Sequence, residues 1–503
     1  MKKYILALDE GTTSARSILF DHTGSIIAVS QKEFPQYYPE SGWVEQDANE
    51  IWAAQSETML AVVRESGIQP SEIAAIGITN QRETVVVWEK DTGKPICPAI
   101  VWQCRRTADI CEEWKKAGLT DAIRDKTGLV VDAYFSGSKL KWILENVDNA
   151  MELARDGKLL CGTVDSWLIW KLTGGRCHMT DVTNASRTML FNIRTMEWDD
   201  ELLALCSVPR SMLPQVKASS SCYGTVRMWD ESIPICGVCG DQQAALFGQG
   251  CFCEGSAKNT YGTGCFLLMH TGNRPIIGKS GLLATVAAGE EGKAPEYALE
   301  GSVFVGGAVI QWLRDELGLI SSAAQSEEIA SALTDTDGVY VVPAFTGLGA
   351  PYWNMYARGT IVGLTRGQSR ERLIRAALES IAYQTADVLS LMEEQTGRHI
   401  SHLRADGGAS RNRLLMQFQA DISARPVELA QSEATAMGAA FLAGLGSGFW
   451  KNRDELSELI HVSRQHFPSM NEEKRSELLD GWHRAVRAAE LYGNVTNTEK
   501  HSN

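Results

Sequence analysis

The sequence predicts an α/β protein built as two lobes of related plan. Three observations predict it. Apolar runs of strand length alternate with segments of helical period in the front half. A chain of 503 residues is longer than one hydrophobic core organises. Each half also opens with the same succession: an apolar strand, a Gly/Thr-rich turn and a second apolar strand. The lobes are therefore expected at residues 1–250 and 251–503.

Taken in order, Tyr4 to Leu8 reads as the first strand, Asp9 to Thr13 as a turn and Arg16 to Phe20 as the second strand. Asp47 and Glu50 have the spacing of a capping box ahead of a helix from Ile51 to Val63, and Gly67 suits its end. Ile73 to Thr79 and Thr84 to Trp88 are two more apolar runs, separated by Asn80-Gln81-Arg82-Glu83. Ile233 to Cys239 reads as a buried strand and is followed by Gly240-Asp241-Gln242-Gln243. In the back half, Asn259 to Gly264 reads as a glycine-rich turn feeding a strand from Cys265 to Met269. Leu373, Ala377, Ile381, Val388 and Met392 mark a long amphipathic helix within 371–392. Asp406-Gly407-Gly408-Ala409 is another glycine turn, ahead of a helix through Met416. The polar tail from Asn494 is expected to fray.

Composition narrows the function. Net charge is −14, from 48 basic against 62 acidic residues, which argues against a nucleic-acid or anionic-membrane surface. No run has the length and apolarity of a membrane span, and the short apolar stretch after Lys2 and Lys3 ends at Asp9, so it reads as a strand. The 12 cysteines are scattered, as in a reducing cytoplasm. Cys236 and Cys239 have redox-motif spacing, but they lie inside an apolar strand without a second ligand pair, which favours small core residues.

The chemistry-bearing residues cluster at strand ends. Arg82 and Glu83 interrupt two apolar runs; either they form a solvated turn, or they meet a hydroxyl-rich small molecule, with Arg donating and Glu accepting. Asp9-Glu10-Gly11-Thr12-Thr13-Ser14 joins an acid to a flexible glycine and three hydroxyls. That combination suits phosphate oxygens, with Asp9 placed to hold Mg²⁺ through water. Tyr261-Gly262-Thr263-Gly264 offers a second loop of this kind. Asp241 stands at a strand end where a catalytic base would sit; its position before a helix reads first as an N-cap, and the two roles are compatible. Gly272 to Ser280 approaches a Walker loop but has one residue too many and contains Pro275; no Rossmann glycine pattern follows the first strand.

Taken together, Asp9 to Arg16, Asn80 to Thr84, Val101-Trp102-Gln103-Cys104-Arg105-Arg106, Tyr134-Phe135-Ser136-Gly137, Gly240 to Gln243, Asn259 to Gly264 and Asp406 to Ala409 resemble the FGGY carbohydrate kinases, and within them the members that act on glycerol. Tyr134 to Asn146, with Ser136, Lys139 and Trp142, fits the first family signature. Gly359 to Glu379 approaches the second, with Arg372 in place of His, Asn, Gln or an acid. The resemblance runs to about Trp450. It implies two actin-like ATPase domains of ribonuclease-H-like fold, with the active site in the cleft between them, and MgATP as phosphoryl donor to glycerol. By the same resemblance, Arg82, Glu83, Tyr134, Asp241 and Gln242 bind glycerol, Trp102 and Phe266 pack its carbon face, and Asp241 is the general base. Thr12, Thr13, Ser14, Arg16 and Thr263 contact phosphates; Gly307, Gln311, Gly408 and Asn412 line the nucleotide site; Asp9 helps hold Mg²⁺. A cytoplasmic homo-oligomer, dimer or tetramer, is implied as well. Glu10 departs from the pattern, since many members that act on glycerol carry Gln there. A ketopentose kinase of the same family and a non-catalytic actin-like ATPase are the competing readings; the polyol residues have no purpose in the second.

Overall fold

A computed structural model describes residues 2–226, 228–229, 231–278, 281–430 and 433–499. Lys279 and Ser280, the end of the Walker-like run, lie outside the described residues.

The chain begins with three antiparallel strands, β1 (Tyr4–Glu10), β2 (Ser14–Asp21) and β3 (Ile26–Glu33), and then α1 (Ala48–Ser66). β4 (Ile73–Asn80) returns parallel to β1, and β5 (Val85–Glu89) leaves that sheet for a separate four-stranded one. After α2 (Ser136–Asn146), β6 (Ile233–Gly240) adds parallel to β4 and leads straight into α3 (Asp241–Gly248). The main order is β6-β4-β1-β2-β3, with a two-residue strand, Thr225–Val226, at the outer edge of β6. Register matters here. Glu10 and Gly240 both pair with Asn80, so β1, β4 and β6 end along one edge and deliver Asp9, Arg82 and Asp241 to it.

The second half repeats the plan. β7 (Ala257–Tyr261) pairs antiparallel with β8 (Cys265–Gly272), which pairs with β9 (Tyr297–Val303). α4 (Ala308–Asp315) and the long α5 (Arg370–Thr396) follow. β10 (Leu403–Asp406) lies parallel to β7; α6 (Arg413–Ser423) and β11 (Val427–Ala430) continue. The order β9-β8-β7-β10-β11 has the connectivity of β3-β2-β1-β4-β6. Leu283–Val286 and Val462–His466 add as edge strands.

The central strands of the two large sheets are buried on both faces, which is why they read as near-continuous apolar runs, while the edge strands β3 and Val462–His466 are exposed. Leu6, Leu8, Ile76 and Ile78 pack under Ile51 and Val62 of α1. The opposite face, with Ile5, Ala7, Cys236 and Cys239, is covered by α7 (Ala434–Ser447), a helix from the far end of the chain. Alanines and glycines fill α7, so its backbone lies close against the strands, and the two cysteines are free thiols in that apolar layer.

Several boundaries differ from expectation. β1 runs on through Glu10, and Asn259 to Tyr261 are strand rather than turn, because the ladders β1–β2 and β7–β8 pair them to the hairpin tip. Asp47 caps α1 through the Asn49 amide, but Glu50 takes the Tyr37 hydroxyl instead of closing a capping box. The tail does not fray at Asn494: α8 (Glu472–Glu499) carries helical backbone to its last described residue. Among the described residues no helix is long and apolar enough to cross a membrane.

Candidate active site

Arg82 and Glu83 are buried, 3 % and 1 % exposed, which excludes the solvated turn. Glu83 adopts φ 63°, a left-handed conformation that a non-glycine residue holds only where its surroundings fix it. Its carboxylate accepts from Arg187 Nε at 2.6 Å, and its carbonyl from Ser136 Oγ at 3.1 Å. Arg82 is gripped more fully. Nη1 and Nη2 donate to the two oxygens of Glu300 at 2.6 and 3.1 Å, Nη1 also reaches Gln243 Oε1 at 3.1 Å, and Nε pairs with Asp241 Oδ1 at 3.0 Å. Gly240 makes this possible, since a Cβ there would meet Arg82 Cγ and Cδ at 2.8 Å. Arg187 Nη2 also donates to Glu300 at 3.1 Å, so one buried carboxylate sits between two guanidiniums. Burial alone would raise the Glu300 carboxyl; Arg187 and Arg82 overrule it and hold it at about 2.

Asp241 is the first residue of α3. The cap position belongs to Gly240, so the N-cap reading shifts by one residue and leaves the Asp241 carboxylate a third exposed. Its Oδ1 also accepts the Gln242 amide at 2.7 Å. Gln242 Oε1 accepts from the buried Lys258 at 2.6 Å. The Trp102 and Tyr134 rings meet edge to face at 5.6 Å between centroids and 74°, an aromatic wall, and Trp102 Nε1 donates to Thr12 Oγ1 at 3.0 Å. That bond ties the aromatic wall to the β1–β2 hairpin. Phe266 lies half-buried on β8, and its carbonyl accepts from the same Lys258 at 3.2 Å.

The β1–β2 turn holds Thr12 and Thr13, with Thr13 exposed. Ser14 Oγ accepts from Gln31 at 3.1 Å. Asp9 and Arg16 face each other across β1 and β2 and form an ion pair, and Arg16 also pairs with Glu433 just ahead of α7.

On the opposite side three glycine turns converge. The Gly306 amide donates to the Thr263 carbonyl and the Gly307 amide to the Gly262 carbonyl, both at 2.8 Å. Gly407 lies at φ 89° against Tyr261, where a Cβ would come within 2.5 Å of the Tyr261 carbonyl oxygen. Gly408 has open space before it. The three turns therefore pack backbone to backbone, with the only unfilled space among their described residues beside Gly408. Asn412 caps α6 through the Leu415 amide at 2.9 Å, and Gln311 is exposed on α4 without contact to the polar cluster of Arg82 and Asp241. Among the described residues no group of three or more His, Cys, Asp or Glu could hold a metal ion.

Reading the sequence alone missed Glu300, Lys258, Gln243 and Arg187. Their sequence neighbours carry no signal that marks them: Lys258 and Arg187 stand among polar residues, and Glu300 is a lone acid in a strand.

Comparison with known proteins follows the same lines. The pattern of the FGGY family of carbohydrate kinases, N-terminal domain, matches residues 4–248, and that of the C-terminal domain matches residues 257–447. The chain is 60 % identical over 492 residues to a glycerol kinase of Caldanaerobacter subterraneus subsp. tengcongensis, covering 97 % of this chain and 99 % of that one. A glycerol kinase of Aeromonas salmonicida is 59 % identical over 487 residues, 96 % of this chain and 97 % of that one. Among solved structures, the crystal structure of Plasmodium falciparum glycerol kinase with ADP superposes with a TM-score of 0.92 at 35 % identity, covering 97 % of this chain and 98 % of that one.

Proposed function

The chain belongs to the FGGY family of carbohydrate kinases, and on that footing we propose that it transfers the γ-phosphoryl group of ATP to a terminal hydroxyl of glycerol, giving sn-glycerol 3-phosphate and ADP. The observation that carries this reading is the Asp241 carboxylate. It is a third exposed and paired with Arg82 at 3.0 Å, and Arg82 is gripped in turn by Glu300 of the second sheet. Asp241 orients the attacking hydroxyl and accepts its proton as the new P–O bond forms and the bond to the ADP leaving group breaks. Arg82, Glu83, Tyr134 and Gln242 bind the hydroxyls, while Trp102 and Phe266 exclude water from the carbon face. Such a site rejects analogues that lack a hydroxyl, because its own buried polar groups would be left unpaired.

Thr12, Thr13, Ser14, Arg16 and Thr263 would contact phosphates, and Gly307, Gln311, Gly408 and Asn412 would line the nucleotide site. Asp9, whose carboxyl is raised first by burial, against the pull of Arg16, with Glu433 and Asp241 adding to the rise, would suit a magnesium ion that keeps most of its waters and takes its other ligands from phosphates. When bound, the ion would neutralise charge on the transferring phosphoryl group. Lobes at 1–250 and 251–503, with α7 crossing back onto the first sheet, accord with the repeated connectivity of the two sheets. Twelve free cysteines suit a cytoplasmic protein. The homo-oligomer, dimer or tetramer, is carried over from the family and is open to light scattering.

The test is a coupled ADP-release assay with glycerol, other polyols and ketopentoses. Glycerol should be the preferred acceptor; preference for xylulose or ribulose would overturn the substrate assignment.

A further inference from the structure

Lys258 is an amine with no exposure to solvent, and all three of its hydrogens are taken: by Gln242 Oε1 at 2.6 Å, Thr260 Oγ1 at 2.9 Å and the Phe266 carbonyl at 3.2 Å. Burial lowers it to about 8, against the attraction of Asp406 and Asp241. An ammonium group only donates, so the atom that Gln242 turns toward it has to be the amide oxygen. The Gln242 NH₂ group therefore points the other way. It makes no hydrogen bond among the described residues, although Gln242 is only 8 % exposed. The neighbouring amide is fixed in the same manner, with Gln243 Oε1 held by Arg82 and its Nε2 donating to Thr285 at 3.0 Å. Two buried cations, one from each half of the chain, thus anchor the first turn of α3.

Arg82 completes the pattern. A guanidinium has five N–H groups. Nε faces Asp241, the two hydrogens of Nη1 go to Glu300 and Gln243, and one of Nη2 goes to Glu300, leaving a single Nη2 hydrogen.

We propose that Lys258 is a positioning residue for the polyol: it locks the Gln242 amide so that Nε2 is a donor aimed at the crevice. The inference deepens the reading of the chain as a kinase of glycerol and rests on it. The site then has a fixed polarity. Gln242 and the last Arg82 hydrogen each donate to a hydroxyl oxygen, and Asp241 accepts from a hydroxyl proton. Lys258 touches no substrate atom in this scheme; it acts through Gln242.

The experiment measures ADP release with glycerol, propane-1,2-diol and propane-1,3-diol for the wild type, Lys258→Met and Gln242→Glu. Gln242→Glu keeps the Lys258 partner and so preserves the fold, but it replaces the donor by an acceptor. Both variants should lower kcat/KM for glycerol by about tenfold or more, chiefly through KM, with the ATP KM unchanged. Both should lose less on the diol that lacks the hydroxyl seated at Gln242. Equal losses on all three acceptors, or a Gln242→Glu enzyme with wild-type glycerol KM, would overturn the proposal. A wild type that turns over ketopentoses but not glycerol would overturn both the proposal and the reading beneath it.

Discussion

Arg82 and Glu300, 218 positions apart in sequence, form a two-pronged buried ion pair that joins the end of β4 to β9 and so links the two halves of the chain. Desolvating such charges is costly, and only complete pairing offsets it. The pair is therefore costly to break. Glu300→Ala leaves Arg187 with Glu83 alone and Arg82 with Asp241 and the more distant Glu83. It should destabilise the protein by about 3–5 kcal/mol, measured by urea denaturation at pH 7. Because the folded state holds the Glu300 carboxyl at about 2, below the unfolded value of about 4.3, the wild-type advantage is full above the unfolded value. It should drain away as pH falls toward 2.

The glycine turns give a second prediction. Gly407→Ala forces a Cβ to within 2.5 Å of the Tyr261 carbonyl oxygen at φ 89°. The turn must shift, and an alanine held at φ 89°, ψ 170° adds about 1–3 kcal/mol. ADP affinity, read by calorimetry, should fall by about tenfold or more, while glycerol affinity stays within about twofold.

Among the described residues Glu10 forms no ion pair. Both of its oxygens are buried without a hydrogen-bond partner, and burial first, then the Asp9 charge, raise its carboxyl well above the ordinary range. A raised carboxyl lowers stability as pH climbs from the unfolded value toward the folded one, since folding then has to take up a proton. Glu10→Gln removes that penalty. Its melting temperature should exceed the wild type's at pH 8 and approach it at pH 5; a gap that does not narrow between these pH values would refute the account of Glu10.

The main strands were legible because both faces of the central strands are covered, so Ile73 to Thr79 and Ile233 to Cys239 show as unbroken apolar runs. Arg82 and Glu83 were legible as a charged interruption at a strand end. Their partners were not. Nothing local distinguishes Glu300 within Tyr297 to Val303, because its meaning lies in guanidiniums more than a hundred positions away. The same holds for Lys258 and for α7, whose all-round apolar surface marks a buried helix without saying which sheet it covers. Errors at Asp241 and Asn259 were of one to three residues, set by hairpin and cap geometry that periodicity does not resolve.

The most direct test of the central claim is Asp241→Asn, which preserves shape and one acceptor oxygen but cannot take a proton. Glycerol-dependent ADP release should fall by about 10²–10⁴-fold, with calorimetric ADP affinity unchanged. Turnover within a few-fold of the wild type would contradict the account.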